Sequence, residues 1–416
     1  MSHTVWPTMY RICQRFDRPE LSSPALEFRQ QLRASSVVCG LQPGARVAIA
    51  VGSRGISGLP DLLRALVSEL RERDAEVSIV PAMGSQGGGN PEGQASVLHG
   101  LGVCEASVLA PIRPAEEVVT IGETASGLPL FCDRLAAESD LLIVVNRVKP
   151  HTAFRADIES GIMKMLAVGL GRTLSAETIH RSALGLPRAI VEAARTHLLL
   201  PPPKLGIAIV ENAYGGIAQI AVLDAGAVEV QEKQLLVTAR GLMPQLPFDS
   251  LDVLIVEKMG KNISGAGMDP NLIGMHRRIP SLVHSTPRIE QVVALDLTEE
   301  SGGNAEGVGL ADIITRRLLG KIDLGITYRN CITSGFLRGA MIPITMASDQ
   351  AAIDLALTGL SAERARVARI KHTGSLVQLD VSAALLDELE GGSLRTGGPL
   401  GAFRFDAKGA LVGTGL

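Results

Sequence analysis

The chain has 416 residues, 46% of them apolar and only 3% aromatic, with a formal net charge of −3. That length exceeds one ordinary hydrophobic core, so two domains are expected. The near-neutral charge, with no basic patch among aromatics, gives no reason to expect nucleic acid or a membrane as partner.

Taken in chain order, residues 1–40 are weakly patterned, with a short helix expected over Leu26 to Leu32. The first twenty residues lack the apolar stretch of a signal peptide, and no apolar run approaches the roughly 20 residues that span a bilayer. Five scattered cysteines without a CxxC pair (Cys13, Cys39, Cys104, Cys132, Cys331) fit a reducing cytoplasm and read as buried small apolar residues. Arg46 to Val51 predicts a strand that ends in a glycine-bounded loop, Gly52-Ser53-Arg54-Gly55. Leu62, Leu63, Leu66, Val67 and Leu70 then recur at helical spacing. A second strand, Val77 to Val80, runs into Gly84-Ser-Gln86-Gly-Gly-Gly89, and Pro91 opens another helix. Strand, loop and helix twice over predict parallel strands with right-handed crossovers.

Segments 117–121 and 128–132 predict a hairpin, and Leu141 to Val145 a strand buried on both faces. Helices are expected over Pro187 to Leu199 and 227–242, with a strand, Leu205 to Val210, between them. Pro244 and Pro247 mark a boundary, giving domains 1–245 and 246–416. The second half starts afresh with the strand Val253 to Val256 and the loop Gly260-Lys261-Asn262-Ile-Ser-Gly-Ala-Gly267. The strand Val292 to Asp296 leads through a Gly-rich loop to a helix ending near Leu319. A helix over 348–358 and short strands around a helix at 383–390 complete the chain. The fold class is α/β: two α/β domains with mainly parallel sheets and the site expected in the cleft between them.

Chemistry concentrates between Asn146 and His180. Lys149, Pro150 and His151 lie just past the end of a strand, where α/β folds keep ligands. Lys164 follows thirteen residues after His151, and His180 sixteen after Lys164, with Arg155, Asp157 and Glu159 between. Histidine is the commonest acid–base and metal-ligand side chain, although a lone one is more often packed or exposed. A lysine among Ile162, Met163, Met165 and Leu166 suits nucleophilic chemistry and equally a snorkelling surface residue. The Gly-rich loops could cradle an anion with backbone N–H groups, or be tight turns; neither is a P-loop or a dinucleotide fingerprint. Arg54 and Arg277 are candidate carboxylate clamps, with surface salt bridging as the plainer role.

The spacing of His151, Lys164 and His180, with Arg54 after an early strand, resembles the nickel-pincer-dependent lactate racemase superfamily over roughly 45 to 345. The resemblance implies racemisation or epimerisation of a 2-hydroxy acid. It also implies a cofactor, the nickel-pincer nucleotide (a pyridinium bis-thiocarboxylate mononucleotide carrying nickel). His180 would ligate nickel, a suitable role for imidazole. Lys164, Arg54, Ser53 and Gly161 would hold the cofactor, Lys164 covalently in some members. His151 would handle the hydroxyl proton, and Arg155, Lys261, Asn262 and Arg277 the substrate. Cofactor-synthesis proteins are implied partners, and homo-oligomer formation is left open.

Three departures from the family pattern stand out. Gln86 stands where the family has a second acid–base histidine, and an amide cannot shuttle a proton. Lys149, Lys261 or Glu159 could serve that face instead. His151 and Lys164 are three residues further apart than in lactate enzymes, and Ile273 and Arg277 stand where a Tyr and a Lys are expected. These changes point to a larger or more polar acid than lactate. Two other readings compete: a non-catalytic anion- or nucleotide-binding homologue, and an ordinary divalent-metal hydrolase or lyase using His151, His180 and a carboxylate.

Overall fold

Apolar runs become strands buried on both faces. In the computed structural model, which describes residues 5–114, 117–282, 286–389 and 394–413, the first strand is β1 (Met9–Gln14). It is followed by β2 (Arg46–Val51), β3 (Glu76–Pro81), β4 (Val118–Glu123), β5 (Pro129–Asp133), β6 (Leu141–Arg147), β7 (Lys204–Glu211) and β8 (Ile217–Asp224). Then come β9 (Ser250–Val256), β10 (Arg288–Ala294), β11 (Ile313–Thr315), β12 (Ile344–Met346), β13 (Val367–Ile370), β14 (Gln378–Ser382) and β15 (Leu394–Gly401). The chain divides into two units: Asp17–Met243, and Met1–Phe16 together with Pro244–Leu416.

The unit Asp17–Met243 holds a five-stranded sheet in the order β3-β2-β6-β7-β8. The first four run parallel and β8 returns antiparallel to β7. Ala48, Ala50, Leu142, Val144 and Ala208 pack into the core on one face. Val47, Ile49, Val51, Leu141, Ile143 and Val145 pack into the core on the other. This period-two alternation with both faces covered makes the strands read as unbroken apolar runs. The helix Leu59–Arg71 buries Leu62, Leu63, Leu66, Val67 and Leu70 on one stripe, as its spacing predicts. Truncating one of these leucines to alanine is expected to cost about 2–5 kcal/mol. β4 and β5 form the expected hairpin.

The sheet order contains a reversal. After β2 the chain adds β3 on one side; after β6 it adds β7 on the other. The carboxyl ends of β2 and β6 are therefore a topological switch point, where diverging loops leave room for a ligand.

The second unit is also α/β. Its eight-stranded sheet has the order β12-β11-β10-β9-β13-β14-β1-β15. The pairs from β12 through β13 are parallel, and those from β13 through β15 antiparallel. The expected first domain, 1–245, thus loses β1 to this sheet. β1 was hidden because Arg11 and Gln14 interrupt its apolar pattern, and its pairing partners lie over 360 residues away. The helix expected before Leu319 is a short strand, β11, followed by the helix Arg316–Gly320. The segment Ala383–Glu388 is a 3-10 helix.

Candidate active site

Near the carboxyl end of β6, the Asn146 side-chain amide donates to the Gly161 carbonyl at 2.9 Å. The Lys149 N–H donates to the Ser160 hydroxyl at 2.8 Å, and that hydroxyl donates back to the Lys149 carbonyl at 2.6 Å. The segment from Lys149 to Ser160 is thereby a closed loop. Inside it, the buried Glu159 carboxylate accepts from the N–H groups of His151 at 2.6 Å and Ala156 at 2.9 Å. Arg240 donates to the same carboxylate at 2.7 Å. Glu159 thus ties the loop together through its carboxylate. Arg155 is exposed, and its guanidinium donates to the His151 carbonyl at 3.0 Å.

The His151 ring stacks on Phe154 with centroids 4.3 Å apart. Its Nδ1 accepts from the Ala153 N–H at 3.0 Å, and its Nε2 lies 2.5 Å from Lys164 Nζ. A nitrogen that accepts carries no proton, so the neutral ring holds its proton on Nε2. Nε2–H can donate to Lys164 only if the amine offers a lone pair. The arrangement that satisfies both bonds is a neutral imidazole beside an uncharged amine, the nucleophilic form of lysine.

Lys164 ends a three-residue helical turn, Ile162–Lys164. Gly161 precedes it at φ 85°, and a Cβ there would come within 2.6 Å of the Glu232 carboxylate. Glu232 Oε2 accepts from the N–H groups of Ile162 at 2.6 Å and Met163 at 3.3 Å. Those bonds favour the ionised form, but burial outweighs them and pushes the carboxyl up to about 8. The chain then widens into a buried π-helical turn, Met165–Gly169, where the expected regular helix is interrupted. Such turns occur often at functional sites. Gly169 sits so close to β3 that a Cβ would meet the Ala82 carbonyl at 2.7 Å. The Gly84 N–H donates to the Gly169 carbonyl at 3.1 Å, which brings the Gln86 loop alongside.

His180 closes the helix Arg172–His180, and its Nδ1 lies 2.6 Å from the Ala176 carbonyl. A carbonyl only accepts, so Nδ1 carries the proton and Nε2 is the ring's lone-pair nitrogen. That is the tautomer of a metal-ligating histidine oriented by a backbone carbonyl. Gln86 opens a 3-10 turn, and the Gln94 amide donates to the carbonyls of Gly84 and Gln86 at 2.8 and 3.3 Å. Ser53 and Arg54 lie half-buried after β2. Gly52 approaches the π turn, since a Cβ there would lie 3.3 Å from Met165 Sδ and 3.5 Å from Asn146 Oδ1.

The remaining expected residues belong to the second unit. Lys261 donates to the Gly265 carbonyl at 2.6 Å and pairs with Glu306. Asn262 Oδ1 accepts from the Thr298 hydroxyl at 2.7 Å. Arg277, expected to hold a substrate anion, donates to the carbonyls of Ile289, Glu290 and Leu310 and to Asp312 at 2.8 Å. These bonds make it a clamp within its own unit. Glu232 and Arg240 escaped the sequence reading. They sit on a helix of mixed charge, Val228–Gly241, whose pattern does not distinguish a buried glutamate from a solvated one.

Among the described residues, no three His, Cys, Asp or Glu side chains gather as a metal site. No described helix is long and apolar enough to cross a membrane.

Residues 30–189 match the family of lactate racemase N-terminal domains. That span is therefore similar to a lactate racemase N-terminal domain. The lactate racemase apoprotein from Thermoanaerobacterium thermosaccharolyticum superposes with a TM-score of 0.50 at 14% identity, covering 79% of this chain and 81% of that one. The fold is therefore the lactate racemase fold. A Thermotoga maritima protein gives a TM-score of 0.47 at 12% identity, over 68% of this chain and 72% of that one. No curated protein matches the chain. Arg54, Gln86, His151, Lys164 and His180 all fall inside the lactate racemase-matched span, whereas Glu232, Arg240, Lys261 and Arg277 fall beyond it.

Proposed function

We propose that this lactate racemase-fold protein is a nickel-pincer-nucleotide-dependent racemase or epimerase of a 2-hydroxy acid more polar than lactate. The observation that carries the reading is the 2.5 Å contact between His151 and Lys164, on a chain whose His180 presents a lone-pair Nε2. The donor set suits the group. Lys164 offers an amine for attachment, His180 one imidazole for nickel, and Ser53, Arg54 and Gly161 line the adjoining loops. When bound, that group supplies reversible acceptance of hydride from C2 of the acid.

The chain's own part is proton handling and orientation. In the described arrangement His151 Nε2 is protonated and cannot take a hydroxyl proton. It becomes a base only when Nδ1 carries the proton, so the Ala153 N–H bond must be given up as Lys164 is engaged elsewhere. Exposed Arg155, anchored to the His151 carbonyl, would pair with an additional anionic group of a polar substrate.

The test is intact mass with nickel content, on protein made in cells that carry the cofactor-synthesis proteins. Near-stoichiometric nickel that falls sharply in Lys164→Ala and His180→Ala supports the reading. A mass increment on wild type alone adds a covalent link. Wild type without nickel and without added mass sinks it. Gln86, which cannot shuttle a proton, favours a second reading: a homologue that binds an anion or nucleotide without turnover. Ligand binding that survives Lys164→Ala would then be expected.

A further inference from the structure

The helix Val228–Gly241 lies outside the span matched to the lactate racemase domain, yet it reaches the site twice. Arg240 holds Glu159, which holds the His151 N–H. Glu232, a little over two turns earlier on the same helix, holds the N–H groups of Ile162 and Met163. One element thus ties down the backbone on both sides of the His151–Lys164 contact.

We propose that Glu232 is a positioning residue for Lys164, acting through the turn Ile162–Lys164; this rests on Lys164 being the site's working amine, as proposed above. A turn of three residues running into a π turn has no register of its own, because regular intrahelical bonding hardly begins in it. Glu232 supplies the missing acceptor. Gly161 makes the approach possible, since any Cβ there would strike the carboxylate. Gly206 of β7 does the same from below: a Cβ there would lie 3.2 Å from Ile162 Cγ1. An apolar side chain at 232 would cost less to bury but would leave two buried N–H groups without an acceptor. Burial keeps the carboxyl neutral up to about 8 and leaves Oε1 without a hydrogen-bond partner. A glutamine therefore reproduces the working form: one oxygen that accepts, and one polar group left over.

The experiment labels lysines of the full-length, unloaded chain at neutral pH with a limiting acetylating ester. Each is then read by peptide mass, with exposed Lys408 as reference. In Glu232→Gln, Lys164 should label within about twofold of wild type. In Glu232→Leu and Gly161→Ala it should label at least tenfold more slowly relative to Lys408, because the amine leaves His151. A folded Glu232→Leu or Gly161→Ala protein that labels Lys164 at the wild-type rate overturns the proposal. So does a Glu232→Gln protein that labels as slowly as the leucine variant. If Glu232→Leu does not fold, the other two variants still decide. Labelling needs no nickel, so the two proposals fail separately. Loss of nickel binding with the labelling pattern intact sinks only the isomerase reading. Nickel retained in a Glu232→Leu protein with unchanged labelling sinks only the positioning role.

Discussion

The Arg240 guanidinium donates to Glu159 at 2.7 Å across 81 residues of sequence, and Glu159 passes that restraint to the His151 N–H. Glu159 is fully buried and Arg240 partly exposed. Arg240→Leu should leave the carboxylate with only the more distant Arg155 guanidinium, 3.8 Å away, and lower stability by about 1–3 kcal/mol. Urea unfolding of the two proteins measures it; a midpoint unchanged in the variant would show that Arg155 and the two backbone N–H groups suffice.

The two histidines of the site should be opposite tautomers. Ala153 makes His151 the Nε2–H form, and Ala176 makes His180 the Nδ1–H form. Nitrogen chemical shifts of histidine-labelled, unloaded protein above pH 7.5 distinguish them. Identical tautomers at both positions would contradict the hydrogen bonding described.

Glu232 gives a pH dependence with a definite sign. Its folded value, about 8, is raised above the ordinary carboxyl value, so the folded chain keeps a proton that the unfolded chain has lost. Its contribution is fullest below the unfolded value and declines as pH rises through the folded one. Buried His197, pushed down to about 3, changes stability only below its ordinary value near 6.5. Lys204, pushed down to about 8 by burial, acts mainly above that pH and in the opposite direction. Between pH 6.5 and 8, wild type should therefore lose about 1–2 kcal/mol through Glu232. Glu232→Gln should remove that loss, which denaturant titration at the two pH values checks.

Thiol reactivity should divide by burial. Burial pushes Cys132 up to about 12 and Cys331 up to about 11. Cys104 is held below the usual thiol range by its hydrogen bond with Ser107, and Cys39 is exposed. Iodoacetamide at pH 7.5 should modify Cys104 and Cys39 in the folded protein, and Cys132 and Cys331 only after unfolding. Peptide mapping of the alkylated cysteines gives the answer.

The sequence by itself determined the parts whose physics is local. Alternating apolar residues specify β2 and β6, the i, i+4 leucines specify the helix Leu59–Arg71, and the His151, Lys164, His180 spacing marks the candidate site. The tertiary structure decided what depends on distant partners. β1 exists only because β14 and β15 lie beside it, and β11 only because β10 and β12 flank it. The π turn after Lys164 ends at Gly169, seated against the Ala82 carbonyl, a close approach that no local pattern encodes. Arg277 and Lys261 show no partner in the sequence, because a charge pairs through folding; the structure sets them against Asp312 and Glu306. Glu232 and Arg240 looked like solvated helix residues for the converse reason. Their roles come from a face of the helix Val228–Gly241 meeting the loop of His151 and the turn of Lys164, and burial with hydrogen bonding is a property of that meeting.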